Sequence, residues 1–271
     1  MIKRGKKKGQ VTIFIIIAIL IVALGILIYL YYPKLFPGTG TETKNPAAYM
    51  QECMQREIED TTQTVIIQGG NYTVNPNAGI FYKNAESDPD GHYIRYLCYS
   101  GEDFTPCINQ EPFLTEHIES EILNTIKPSI ENCINSMVNS YEKKGYDVNL
   151  QHGNSTVSII PEVISTDFNT TLTLTKGDEV QTYKKFQVNL DSNLYDMLEV
   201  AKNIIIWEIN VGDSATEAYM YDNPALKVEK HRKDNDVKVY VLTDRDTREV
   251  FQFASRSFAN PAGFGNVNEY L

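Results

Sequence analysis

From Val11 to Tyr32 the chain reads VTIFIIIAILIVALGILIYLYY, 22 residues without a charge, directly behind five cations at Lys3, Arg4, Lys6, Lys7 and Lys8. At 1.5 Å per helical residue this run spans about 33 Å, enough for a hydrocarbon core of about 30 Å. Fifteen of its residues are Leu, Ile, Val or Phe. At roughly −0.3 to −0.6 kcal/mol each they favour insertion by about 5–9 kcal/mol. Its many β-branched residues would weaken a helix in water. They matter little in lipid, where every backbone N–H must be paired within the segment. Tyr29, Tyr31 and Tyr32 stand where an aromatic belt marks the far interface. The flanking cations hold the N-terminus in the cytoplasm, so Pro33 onward is expected outside the cell. The run exceeds an ordinary secretory core and ends in Tyr-Tyr-Pro rather than in small residues, which argues against cleavage behind it. The expected layout is a cationic cytoplasmic leader (1–9), a transmembrane helix (10–32), a linker (33–45) and an extracellular domain (46–271), with the lipid bilayer as first partner. A finer division of that domain falls at 46–145 and 146–271.

The balance of charge narrows the partners. The chain has 25 Lys and Arg against 35 Asp and Glu, a net charge of −10. Setting aside the five N-terminal cations leaves 20 against 35, or −15 for the exterior part. Nucleic acid, which requires basic patches, is therefore excluded as a partner. The acidity suits a surface domain that repels its neighbours and stays soluble.

Four cysteines, Cys53, Cys98, Cys107 and Cys133, all follow the apolar run. An even count in an exported segment points to two disulfides. Of the three possible pairings, Cys98–Cys107 with Cys53–Cys133 is preferred: the first closes a short Pro-bearing loop and the second joins two helices. No CxxC pair supports a zinc site. Three N-x-[ST] sequons, at Asn71, Asn154 and Asn169, are candidate glycan acceptors.

Periodicity gives the outline of the exterior domain. Pro33, Pro37 and the run Pro37–Thr41 break the membrane helix. Asn45-Pro46 opens a helix running to about Gln68, with Met50, Met54, Ile58, Thr61 and Val65 on one face and Gly69-Gly70 as its stop. Short strands are expected at 72–74, 79–82 and 92–99, the last two joined by a turn at Ser87–Gly91. That acidic turn lacks the ligand series of a calcium loop. A second helix is expected over 112–144, its stripe Ile118, Ile122, Ile126, Ile130, Ile134, Met137 and Tyr141, with Pro128 kinking or splitting it. Strands follow at 146–151, 156–165, 168–175 and 180–190, with a hairpin turn at Lys176-Gly177-Asp178. A third helix at 192–210, capped by Asp191 or Ser192, takes Trp207 as a packing residue. A short helix at 214–221 and strands at 226–230, 237–243 and 249–255 complete the domain, with a loose tail from Asn260. The fold class is α+β: about three main helices on antiparallel sheets.

Catalytic signatures are missing. The four histidines, His92, His117, His152 and His231, show no paired ligand spacing, and GxSxG, P-loop and GxGxxG motifs do not occur. Glu116, Glu119 and Glu121 read as a solvated helix face. No catalytic role, cofactor or metal is expected.

Lys8-Gly9-Gln10-Val11 resembles the archaeal class III leader of type IV pilin-like proteins. The resemblance implies that a prepilin-type peptidase cuts between Gly9 and Gln10 and leaves the apolar helix on the mature chain. Phe14 stands where bacterial-type pilins carry Glu, a departure common among archaeal members. More broadly, the chain resembles uncharacterised archaeal membrane-anchored surface proteins. The resemblance rests on the GQVTIFIIIA start, a helix from Cys53 to Gln68-Gly69-Gly70, and the Lys176-Gly177-Asp178 turn. It implies no activity. The expected role is structural or adhesive at the cell surface, pilin-like and with self-assembly or other envelope proteins as partners. A tethered module binding a solute or envelope partner is the alternative, and a hydrolase of surface polymers a third reading.

Overall fold

The computed structural model describes residues 45–86 and 88–258, together with Val22. The leader site Lys8, Gly9 and Gln10, the rest of the apolar run, the linker and the tail from Asn260 lie outside the described residues. Among the described residues no helix is long and apolar enough to cross a membrane.

The first helix, α1 (Pro46–Ile67), starts where the side chain of Asn45 accepts the Ala47 N–H at 3.0 Å. It ends where Gly69 and Gly70 adopt positive φ and the Gly70 N–H donates to the Val65 carbonyl at 2.9 Å. Its Met50–Met54–Ile58–Val65 stripe is buried. Residues 71–75, expected to include a strand, instead lead irregularly into a short 3-10 turn, Pro76–Ala78. Strands β1 (Gly79–Asn84) and β2 (Asp88–Tyr99) form a hairpin. β2 begins inside the stretch expected as a turn, because Asp88 points inward. Its carboxylate accepts from Gly91 N (3.0 Å), faces His92 Nδ1 (2.8 Å) and accepts from Gln252 Nε2 (3.1 Å).

After the two-residue strand β3 (Ile108–Asn109) comes helix α2 (Leu114–Lys143). It runs through Pro128 without being split, and its full isoleucine stripe is buried. Strand β4 (Asp147–Gln151) precedes β5 (Ser155–Ile160), which ends at Pro161-Glu162, where Glu162 has φ 67°. The strand expected to continue to Ser165 therefore turns back as β6 (Val163–Lys176), followed by β7 (Glu179–Asp191). Helix α3 (Leu194–Val211), short helix α4 (Thr216–Asp222) and strands β8 (Leu226–Arg232), β9 (Val237–Asp244) and β10 (Val250–Arg256) complete the order.

Two sheets result. The four-stranded sheet is antiparallel throughout: β6 pairs with β7 along one edge and with β5 and then β4 along the other. The six-stranded sheet runs β1–β2–β10–β9–β8, with β3 also on β2. It is mixed, since β10 lies parallel to β2; the expectation of purely antiparallel sheets is corrected here. Parallel neighbours need a long crossover, and everything between β2 and β10 serves as one. The sheet therefore draws strands from both sides of residue 145, and the expected division at 46–145 and 146–271 does not separate the sheets. A shared core explains this. Met50, Ile118, Ile126, Phe168, Phe186, Leu198, Phe251 and Phe253 belong to one buried cluster fed by all three long helices and both sheets. β9 is buried along nearly its whole length because a smaller cluster of Tyr82, Ile94, Val239, Val241 and Ala254 covers its other face.

Candidate functional site

Two disulfides brace the fold. Cys53 on α1 is bonded to Cys133 on α2 with Cα atoms 6.1 Å apart, and Cys98 on β2 to Cys107 with Cα atoms 5.3 Å apart. No cysteine is free. The first bond fastens two helices side by side and the second closes the loop that leads into β3.

A cleft of about 310 Å³ opens between α1, the end of β7 and the β9–β10 turn. Its floor includes Ile66, Ile67, Leu190 and Val250. Glu59, Gln63, Asp191 and Arg248 stand at it as exposed polar groups. Thr62 also lines it; this side chain is 2% exposed and its hydroxyl has no hydrogen-bond partner. An orphaned buried hydroxyl is costly, on the order of 1–3 kcal/mol, unless something supplies a bond. Apolar carbon beside carboxylate, guanidinium, amide and hydroxyl groups suits a small polyhydroxylated ligand. Glu249, at the same cleft, is otherwise engaged. Burial pushes its carboxyl up, and bonds from Ser192 Oγ (2.6 Å) and Asn193 N (2.9 Å) only partly oppose this. Both oxygens are thus spent on the start of α3, and the group works as a long-range helix cap.

The start of α3 differs from expectation in that respect. The N-cap is Asn193, not Asp191 or Ser192 as expected, and the helix begins at Leu194. Ser192 Oγ accepts from Leu194 N at 3.1 Å, and Asn193 Nδ2 reaches across to Asp244 at 2.8 Å. Farther along, α3 turns Glu208 inward, where Lys238 Nζ meets it at 2.7 Å and Ser255 Oγ at 2.9 Å. Tyr240 donates to its other oxygen, and burial together with that carboxylate raises the phenol far above its ordinary range. Lys238 Nζ also donates to the carbonyls of Gly212 and Ser257. Because Glu208 occupies the inward position, Trp207 is turned outward and is 51% exposed, a correction to its reading as packing. Ser257 Oγ bridges the Glu208 carbonyl (2.8 Å) and the Cys107 amide (3.0 Å), so the outer turns of α3 lie beside the Cys98–Cys107 loop. Around this junction Phe104, Ile108, Trp207 and Val211 are exposed, and Phe258 meets Phe104 edge-on.

The glutamates read as a solvated face of the second helix have tertiary partners. Glu119 accepts the Ile159 N–H at 2.7 Å and Glu121 the Tyr72 N–H at 3.1 Å, so only Glu116 is simply exposed. His117 joins Arg95, Glu111 and Asn71: Arg95 donates to Asn71 Oδ1 (2.8 Å) and Glu111 (3.0 Å), and His117 Nδ1 lies 3.3 Å from Glu111. Of the sequon asparagines, Asn71 is therefore engaged. Asn169 donates through Nδ2 to the Asn154 carbonyl at 2.9 Å, and Asn154 itself is exposed. Among the described residues no group of three or more His, Cys, Asp and Glu is arranged to hold a metal.

Among the described residues the fold is thus α+β, with three long helices and a short fourth packed on a mixed and an antiparallel sheet. Compared with family models, curated proteins and solved structures, the chain matches none.

Proposed function

We propose that the chain is a single-pass cell-surface protein, its N-terminus cytoplasmic and its head outside, with a structural or adhesive role of pilin-like type. The observation that carries this reading is the closure of all four cysteines into disulfides at two places in the head. Such bonds persist in oxidising compartments outside the cytoplasm. That agrees with the orientation read from the cations before Val11. The outward Trp207, Ile108 and Phe104 offer apolar contact area to a neighbouring envelope protein or a second copy. A prepilin-type peptidase cutting between Gly9 and Gln10 is part of the proposal, on the resemblance of that segment. Sequencing the mature N-terminus tests it together with externally added protease on whole cells. Gln10 as first residue and a head trimmed from outside are expected. A head protected from protease would sink the reading.

A second reading, a tethered module for a small solute, is favoured by the cleft at Thr62 and Arg248. Thermal-shift measurements with neutral and acidic sugars test it. Stabilisation that disappears in Arg248→Ala is expected, and no shift with any of them speaks for a purely structural head.

A further inference from the structure

The three sequons are alike as motifs and unlike as surfaces. Asn71 has its carbonyl oxygen held by Arg95 and lies against His117, whose Nε2 is 3.1 Å away. Asn169 is exposed but sits inside β6, with its sequon hydroxyl residue Thr171 half-buried, and its Nδ2 is already donated to the Asn154 carbonyl. Asn154 belongs to the three-residue connection between β4 and β5 and is exposed, as is the sequon hydroxyl residue Thr156. Among the described residues no hydrogen bond engages its side chain.

The surroundings of Asn154 present that free amide in a fixed place. β6 pairs with β5 through Phe168 and with β4 from Thr171 onward, so Asn169 and Thr170 lie at a notch between the two partners. The loop carrying Asn154 crosses this notch, and its carbonyl accepts both the backbone N–H (3.3 Å) and the Nδ2 (2.9 Å) of Asn169. The backbone is pinned while the side chain stays free. Beside it a groove of about 390 Å³ runs along α2, lined by Leu123, Lys127, Ile130 and Glu131 as well as Asn154. Its apolar strip and polar rim suit the carbon face and hydroxyls of a sugar.

We infer that Asn154 is the N-glycan acceptor of this head and that Asn71 and Asn169 are not. In the transfer, Nδ2 forms a bond to the anomeric carbon of a lipid-phosphate-linked oligosaccharide. The bond from that carbon to the phosphate oxygen breaks, the lipid phosphate leaves with the electron pair, and the amide loses one proton. The inference rests on the proposed exterior location, because such donors act on exported segments.

The test is glycopeptide mass spectrometry on full-length protein from cell membranes, with non-reducing disulfide mapping and external protease on the same material. A sugar mass on the Asn154 peptide is expected, completely lost in both Asn154→Gln and Thr156→Ala and unchanged in Asn71→Gln. The Thr156 variant leaves Asn154 and its carbonyl in place, so loss in both is not a folding effect if the disulfides remain closed. A head that is exported and disulfide-closed but bare at Asn154, or one carrying sugar at Asn71 or Asn169, overturns the glycan assignment alone. A head shielded from external protease overturns both it and the surface reading.

Discussion

Lys238 Nζ lies 2.7 Å from a carboxylate oxygen of Glu208, with the two side chains 3% and 0% exposed. The pair joins the last turns of α3 to β9, and the surrounding carbonyls and hydroxyls satisfy the remaining donors and acceptors. Breaking such a pair by removing one partner leaves an uncompensated buried charge, costing about 3–5 kcal/mol. Glu208→Ala and Lys238→Ala should each destabilise the head by that order in urea unfolding. Replacing both with Leu and Met should cost clearly less than the sum of the two single changes. An additive double variant would show that the two groups act independently.

The disulfides should contribute unequally. Their sequence separations are 80 and 9, for which the chain-entropy model gives about 4.5 and about 2.7 kcal/mol. Cys53→Ser/Cys133→Ser is expected to lower the unfolding midpoint more than Cys98→Ser/Cys107→Ser. The reverse order would mean that the loop beside Ser257 matters through its native contacts.

Acid should weaken the head through two aspartates. Burial pushes the Asp213 carboxyl up, but Lys230 and Arg232 overcome this and hold it below its ordinary value. Burial also pushes Asp244 up, and bonds from Thr247, Asn193 and Asp246 bring it below. A folded-state pKa that lies below the unfolded one gives stability that is complete above the unfolded value, about 4, and is lost as pH falls through the lower folded value. Unfolding followed from pH 5 to pH 2 should therefore show falling stability, with a shallower slope in Asp213→Asn and Asp244→Asn. Glu249, raised by burial, works in the opposite sense: its folded state holds a proton more tightly, so its contribution declines as pH rises through that range. Glu249→Gln should steepen the loss in acid.

Gly153 is required by closeness. A Cβ at this position would lie 1.7 Å from the Asn169 carbonyl oxygen, so Gly153→Ala must push the β4–β5 loop off β6. A cost of about 1–3 kcal/mol is expected, typical of inserted bulk, with faster amide exchange at Asn169. Wild-type stability in this variant would show that the loop has room to move.

The periodic stripes of α1 and α2 were legible because an amphipathic helix writes its buried face at intervals of three and four residues. Met50 to Val65 and Ile118 to Tyr141 needed no partner to be recognised. The Asn45-Pro46 start and the Gly69-Gly70 stop are local for the same reason. The β5–β6 turn at Pro161-Glu162 lies inside a stretch whose composition reads as one strand to Ser165, although Pro161 is a breaker. The inward turn of Asp88 was hidden because its partner Gln252 is 164 residues away. Likewise Glu208 on α3 reads as an outward polar residue until Lys238 and Tyr240 are brought to it, and Trp207 is displaced to the surface as a consequence.

From its sequence alone this chain determines an apolar span with a cationic front, three amphipathic helices, most of the stretches that form strands and an even set of cysteines. These follow from composition and spacing, which act over a few residues. The tertiary structure decided that β10 enters beside β2 in parallel, that β9 is buried on both faces, and that Glu249 in the β9–β10 turn holds the start of α3. It also gave the three sequon asparagines different surroundings, with the Asn71 oxygen held by Arg95 and the Asn169 Nδ2 by the Asn154 carbonyl. Each depends on contacts between segments far apart in the chain, whose energies exist only once the shared core has brought them together.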